Sequence, residues 1–282
     1  MPAGSLENHA AANEVVTDTN IVEFQNVSKT YGAGGAATTA IRDISFEVAN
    51  KPGRGEFISF LGPSGCGKST ILRLIAGLRP QFPATAGTVR VMGKPVEGPG
   101  PDRGMVFQDY TSFDNRTVLE NIAFGLECAG VARTEREARA RIWMEKVGLE
   151  PGRDAGKFPH QLSGGMRQRV AIARTLILSP HIILMDEPFG ALDPATRLNM
   201  QDLLIDLWRE QEATVFFVTH SVEEAIFLGD CIYVLKGTPG TIVKKMELPS
   251  PNRPAREVQR EAGFRDAVCE IRDIVEISEV RK

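Results

Sequence analysis

The sequence predicts an α/β fold, a parallel sheet flanked by helices with a lobe of helices inserted at about residues 110–180. Three observations carry this expectation. The apolar runs Phe57–Leu61, Ile182–Met185 and Thr214–Val218 have the composition of strands buried on both faces. Segments of helical spacing alternate with them, the arrangement that brings strands together in parallel. Between the first and second of these runs, Thr117–Leu149 is rich in Arg, Glu and Ala, and a further helix is expected to start at Ser163.

Taken in order, residues 1–20 are small and polar without periodicity and read as a loose arm. Ile21–Val27 and Ile41–Val48 have the period-2 character of half-buried strands, with Gly32, Gly34 and Gly35 marking a loop between them. After Phe57–Leu61 comes a glycine-rich loop, then Ile71, Leu72, Leu74, Ile75 and Leu78 at helical spacing. Residues 87–96 are expected to form a hairpin and Met105–Phe107 a short buried strand. Within the helical stretch, Thr134 and Glu137 have the spacing of a capping box. A helix from Pro194 to about Gln211 is expected to start with Asp193 as its N-cap. Residues 249–282 form a tail, in which Arg256–Val275 is amphipathic and is expected to pack as one helix on the rest.

Composition narrows the function. Of 282 residues, 42% are hydrophobic and 24% charged, enough apolar material for a sizeable core. The net charge of −3 gives no basic field for nucleic acid, so no nucleic-acid partner is expected. No stretch approaches the ~18 apolar residues of a membrane span. The N-terminus lacks the basic start and apolar core of a secretory signal. Cysteines at 66, 128, 231 and 269 have the spacing of neither a disulfide framework nor a zinc site.

Gly62-Pro63-Ser64-Gly65-Cys66-Gly67-Lys68-Ser69-Thr70 matches GxxxxGK[ST] between an expected strand and an expected helix. Glycines let the backbone wrap so that successive N–H groups face phosphate oxygens, and the helix start adds partial positive charge. Lys68 is placed to reach the β- and γ-phosphates, and the Ser69 hydroxyl to ligate Mg²⁺. Cys66 is read as a small side chain of this loop without a redox role. Downstream, Ile182–Met185 ends in Asp186-Glu187, where Asp186 can help hold Mg²⁺ and Glu187 can act as general base toward water. The chain is therefore expected to bind a nucleoside triphosphate with Mg²⁺ and to hydrolyse it.

Leu162-Ser163-Gly164-Gly165-Met166-Arg167-Gln168-Arg169 resembles the LSGGQ signature of ATP-binding cassette (ABC) ATPases, shortly before the acidic strand. Ser163 can cap a helix whose first N–H groups are exposed by Gly164 and Gly165, a second anion site. The resemblance extends over about residues 21–248. It implies a P-loop NTPase core, with a RecA-like parallel sheet, an antiparallel β subdomain and an inserted helical subdomain. It also implies that Gln108 touches the metal and senses the partner, that Tyr31 stacks on adenine, and that His220 contacts the γ-phosphate. It further implies that Asp193, in Ala191-Leu192-Asp193, belongs to a loop that reaches across a head-to-tail dimer, in which Ser163 and Gly165 complete the other subunit's ATP site.

Met166, Asp186–Asp193 and Thr219–Ala225 are similar to the nitrate, sulfonate and taurine importers. Two segments differ from them. Ser112–Arg116 replaces a common Pro-Trp pair at the surface that meets the membrane partner, and Thr238-Pro239-Gly240-Thr241 replaces Arg-Pro-Gly-Arg. The resemblance implies a homodimer, or a dimer with a paralogous ATPase subunit, at the cytoplasmic face of the inner membrane. Its partners would be permease subunits and, indirectly, a solute-binding protein. The alternative is a soluble cassette ATPase in a non-transport process, although such proteins usually carry coiled-coil arms, zinc modules or a second cassette.

Overall fold

A computed structural model describes residues 20–51, 53–109, 112–249 and 254–276. The expected arm lies outside the described residues except for Asn20, which begins the first strand. Two sheets organise the chain. The first is antiparallel, in the order β2 (Thr38–Ala49), β1 (Asn20–Tyr31), β4 (Ala86–Val91), β5 (Lys94–Pro95). β4 and β5 form the expected hairpin, tightened by Met92 and Gly93, both at positive φ, as a two-residue turn of that hand requires.

The second sheet has six strands, with order β10 (Thr241–Glu247), β9 (Cys231–Lys236), β3 (Phe57–Leu61), β8 (Thr214–Thr219), β7 (Ile182–Asp186), β6 (Arg103–Val106). Its strands from β9 to β6 are parallel, and β10 closes one edge antiparallel. Side chains of β3, β7 and β8 alternate strictly between two cores. Ile58, Phe60, Ile182, Leu184, Phe216 and Val218 join the antiparallel sheet and helix α1 (Lys68–Ala76). Phe57, Ile183, Met185, Val215 and Phe217 face the helices of the other side. Burial on both faces is why these strands read as unbroken apolar runs. β9 and β10, which no sequence expectation covered, complete the sheet beyond β3. β6 is an edge strand with only Val106 buried, not the buried strand expected, and Phe107 lies past its end.

Between β6 and β7 come α2 (Val118–Cys128), α3 (Arg133–Lys146), α4 (Pro151–Asp154) and α5 (Gly164–Leu176). Leu119, Ile122, Leu126, Met144, Ile172 and Leu176 continue the core of the sheet's helical face. Asp154, fully buried, is held by Arg153 (2.9 Å) and Lys157 (2.7 Å), and the Arg153 hydrogen bond keeps its carboxyl far below the usual carboxylate range. The expected capping box at Thr134–Glu137 does not form. Gly130, at φ 76°, ends α2, and α3 starts one residue before Thr134, leaving Glu137 to pair with Arg133 (2.7 Å). The box sits instead at the start of α2. There the Glu120 N–H donates to Thr117 Oγ1 (3.3 Å) and the Thr117 N–H to Glu120 Oε2 (2.8 Å).

β7 leads into α6 (Pro194–Arg209), and β8 into α7 (Val222–Leu228). The tail is not one helix among the described residues. It divides into α8 (Ala255–Val258) and α9 (Ala262–Glu276). The Ala255 N–H donates to Asp202 Oδ1 on α6 (2.7 Å), whereas Phe264, Val268 and Ile271 of α9 are buried on the core beside α7. One straight helix cannot serve both anchors, so the chain turns at Gln259–Glu261. We predict that Thr117→Ala lowers stability by about 1 kcal/mol in urea unfolding, through loss of the cap. Thr134→Ala, inside a helix and without a capping bond, should stay within a few tenths.

Candidate functional site

The phosphate-binding loop leaves β3 at Gly62 and enters α1 at Lys68. Gly67, the N-cap of α1, has φ 88°, a left-handed conformation that β-carbons resist. A Cβ there would collide with the Ile41 side chain and approach the Ala40 carbonyl oxygen to 2.9 Å. The loop is thus wedged against the start of β2. Gly240 closes it from the other side. Its N–H donates to Ala40 O (2.8 Å), its carbonyl accepts from the Arg42 N–H (3.0 Å), and a Cβ would strike the Cys66 carbonyl. The Thr238–Thr241 turn therefore braces the loop. Cys66 is fully buried, and burial pushes its thiol up, which keeps it protonated.

Lys68, 4% exposed, folds over the loop and donates to the carbonyls of Gly62 (2.8 Å) and Pro63 (3.0 Å). Its Nζ lies 3.9 Å from Glu187 Oε1. The Ser69 hydroxyl donates to Asp186 Oδ1 (2.7 Å), and Arg73, which the sequence reading did not single out, approaches Asp186 Oδ2 at 3.5 Å. Asp186 is almost wholly buried. Glu187 occupies φ 45°, a conformation unusual outside glycine, with its N–H donating to Val218 O (3.0 Å). Its Oε2 lies 2.9 Å from His220 Nδ1. The Tyr31 hydroxyl is 3.3 Å from Thr70 Oγ1, which places the ring beside the phosphate loop.

Sheet register brings these groups together. Leu61 pairs with Thr219, Asp186 with Val218 and Met185 with Val106, so the loops after β3, β8, β7 and β6 open at one edge of the sheet. Gln108 sits exposed in the turn two residues beyond β6, at this same edge. Ser69 and Asp186 offer hard oxygen donors suited to Mg²⁺. No group of three or more His, Cys, Asp or Glu side chains that could hold a metal occurs among the described residues.

Ser163, Gly164, Gly165 and Asp193 form a second group. Ser163 caps α5, accepting from the Met166 N–H (3.3 Å), and Asp193 caps α6, accepting from the N–H groups of Ala195 (3.1 Å) and Thr196 (3.0 Å). Hydrogen bonds from Thr196 hold the Asp193 carboxyl below its usual range. The two helix starts are neighbours, since a Cβ on Gly165 would lie 3.1 Å from Thr196 Cγ2. Around Gly164 there is open space. Among the described residues, no hydrogen bond or ion pair joins Ser163, Gly164 or Gly165 to the phosphate loop.

Comparison with known proteins identifies the family. The family described as ABC transporter matches residues 41–190. The taurine import ATP-binding protein TauB of Rhizobium johnstonii is 45% identical, over 87% of this chain and 92% of its own length. The nitrate import ATP-binding protein NrtD of Synechocystis is 42% identical, over 86% of this chain and 90% of its own. Among solved structures, an ATP-binding cassette described as dimeric, in a post-hydrolysis state bound to ADP and Pi, superposes with TM-score 0.70 at 35% identity. The match covers 81% of this chain and 99% of that one. The chain therefore belongs to the ABC transporter family, of which it is an ATP-binding and ATP-hydrolysing cassette.

Proposed function

We propose that this cassette is the ATPase subunit of an importer, pairing head-to-tail with a second cassette on ATP and driving uptake of a small solute. The solute would be of the nitrate, sulfonate or taurine kind, taken up through separate permease chains with a solute-binding protein outside. Among the described residues no helix is long and apolar enough to cross a membrane. In this reading the subunit lies peripherally at the cytoplasmic face of the inner membrane, against the permease. The observation that carries the catalytic reading is the Glu187–His220 pair at 2.9 Å, beside the Lys68 ammonium at 3.9 Å and the buried Asp186.

In this reading Tyr31 stacks on the adenine. The backbone N–H groups of Gly62–Thr70 and the Lys68 ammonium neutralise the phosphates. Ser69, Asp186 and Gln108 would hold Mg²⁺, whose charge favours departure of the diphosphate. Glu187 takes a proton from water as its oxygen attacks the γ-phosphorus, and the bond to the bridging oxygen breaks to leave ADP and phosphate. His220, whose Nδ1 meets Glu187 Oε2, contacts the γ-phosphate and holds that carboxylate toward the attacking water. Ser163, Gly164, Gly165 and Asp193 would close the partner subunit's site.

The permease is assigned to the face around Phe113, Asp114 and Asn115, all exposed next to the turn carrying Gln108. Phe113 packs at a tilt against Phe124 (4.5 Å between ring centres) and is still 38% exposed. Arg116 has a different part. Its guanidinium forks onto Glu127 (2.9 and 3.2 Å) and lies 4.9 Å over the Phe124 ring, so it ties this segment to α2.

Two outcomes are expected. Glu187→Gln should bind MgATP while turnover falls by ~10²–10⁴, the span of a general base. Purified protein assayed for phosphate release decides this, and near-normal turnover would remove Glu187 from the role. Asp114→Arg should leave turnover by the isolated subunit within about twofold and lower solute uptake in reconstituted vesicles; unchanged uptake would place the permease elsewhere.

A further inference from the structure

The sequence reading gives no role to Arg197 and meets Glu224 only within the Thr219–Ala225 string, yet the two join the loops that flank Glu187. Arg197 sits in the first turn of α6. Its backbone N–H donates to the Asp193 carbonyl (2.9 Å), and its guanidinium donates to the Leu192 carbonyl (3.1 Å). Arg197 Nε lies 3.6 Å from Glu224 Oε1 and finds no hydrogen-bond partner among the described residues. Glu224 is in the first turn of α7 and 5% exposed, and burial raises its carboxyl despite the nearby cation. Its other oxygen accepts from the Thr219 hydroxyl (2.6 Å), and Thr219 Oγ1 in turn accepts from the Ser221 N–H (3.0 Å). His220 lies between those two residues.

An unbroken series of polar contacts thus runs from the Leu192 carbonyl through Arg197, Glu224 and Thr219 to the backbone on both sides of His220, whose ring meets Glu187. A buried carboxylate is costly unless it is paired and hydrogen-bonded. Glu224 is supplied with one partner from each loop. A pair that only pinned α6 to α7 could do so with a surface contact far from these loops. Here Glu224 is buried, Arg197 is half-buried, and the guanidinium engages the Leu192 carbonyl of the 190–193 loop directly.

We propose that Arg197 and Glu224 are positioning residues which make the 190–193 loop and the His220 loop move as one body, so that His220 meets Glu187 only when the 190–193 loop is in place. The proposal rests on the catalytic reading of Glu187 and His220, and makes that pair responsive to whatever contacts residues 190–193, a second cassette above all. Neither residue touches substrate, so loss should appear in turnover and not in ATP affinity.

The test is a double-variant cycle on the full chain, read as steady-state kcat and KM for ATP below every variant's unfolding transition. Glu224→Gln keeps an acceptor for the Thr219 hydroxyl and removes the charge facing Arg197. Arg197→Met keeps the aliphatic stem and removes the fork. Each single variant is expected to lower kcat by about 10- to 100-fold, the scale of a small misplacement in an active site, with KM changed less than about twofold. The double variant should be no worse than the poorer single, because both break one linkage. Turnover of Glu224→Gln within about twofold of the parent, multiplied losses in the double variant, or a KM rise at constant kcat would each overturn the proposal. If Arg197→Met does not fold, Glu224→Gln alone decides. Glu187→Gln, run alongside, separates the two readings: retained turnover there refutes the base assignment, whatever the pair does.

Discussion

The parallel register of β3, β8 and β7 is the constraint on which the site depends. Leu61 faces Thr219 and Val218 faces Asp186, so three loops of quite different sequence leave the sheet side by side. One brings the phosphate loop, one the acidic pair and one His220. The register is fixed because each strand is buried on both faces, and a one-residue slip would exchange the contents of the two cores. Large aromatic side chains strengthen this specification. Phe60 stacks on Phe216 on one face, and Phe57 meets Phe217 and Trp208 on the other.

Around that edge the remaining parts act as braces. Ile41 and Gly240 press the phosphate loop from two sides, which leaves glycine the residue for position 67. The positive φ of Glu187 costs backbone energy, and its N–H bond to Val218 holds the conformation against that cost. The tail contributes at one remove, with α8 tied to α6 through Asp202 and α9 tied to α7 through Arg272 and Glu223. Both helices that follow the catalytic loops are therefore held by the same C-terminal segment.

Much of this was legible in the sequence because its signals are local. The phosphate loop, the carboxylates at the end of β7, the caps at Ser163 and Asp193 and the doubly buried strands each depend on residues close together in the chain. What was not legible depends on distant ones. Nothing near Gly240 reveals that Cys66 and Ala40 will press on it, and nothing near Arg197 announces Glu224, 27 positions on. The capping-box error has the same origin. Thr117–Glu120 and Thr134–Glu137 are equivalent as patterns, and only the chain path decides which Thr precedes a helix. The tail reads as one amphipathic stripe because periodicity does not register that α8 is anchored on Asp202 and α9 beside α7.

In the proposed dimer each ATP site is shared, with Lys68 and Glu187 from one chain and Ser163 from another. An isologous pair would set each Ser163 against the other chain's Lys68. The most direct measurement mixes Lys68→Ala with Ser163→Arg, each nearly inactive alone, and follows ATP turnover together with ATP-dependent heterodimer formation by crosslinking. The mixture contains dimers with one wholly intact site, so heterodimers should form on ATP and turnover should reappear above that of either parent. If neither heterodimers nor renewed turnover is found, the shared site is contradicted.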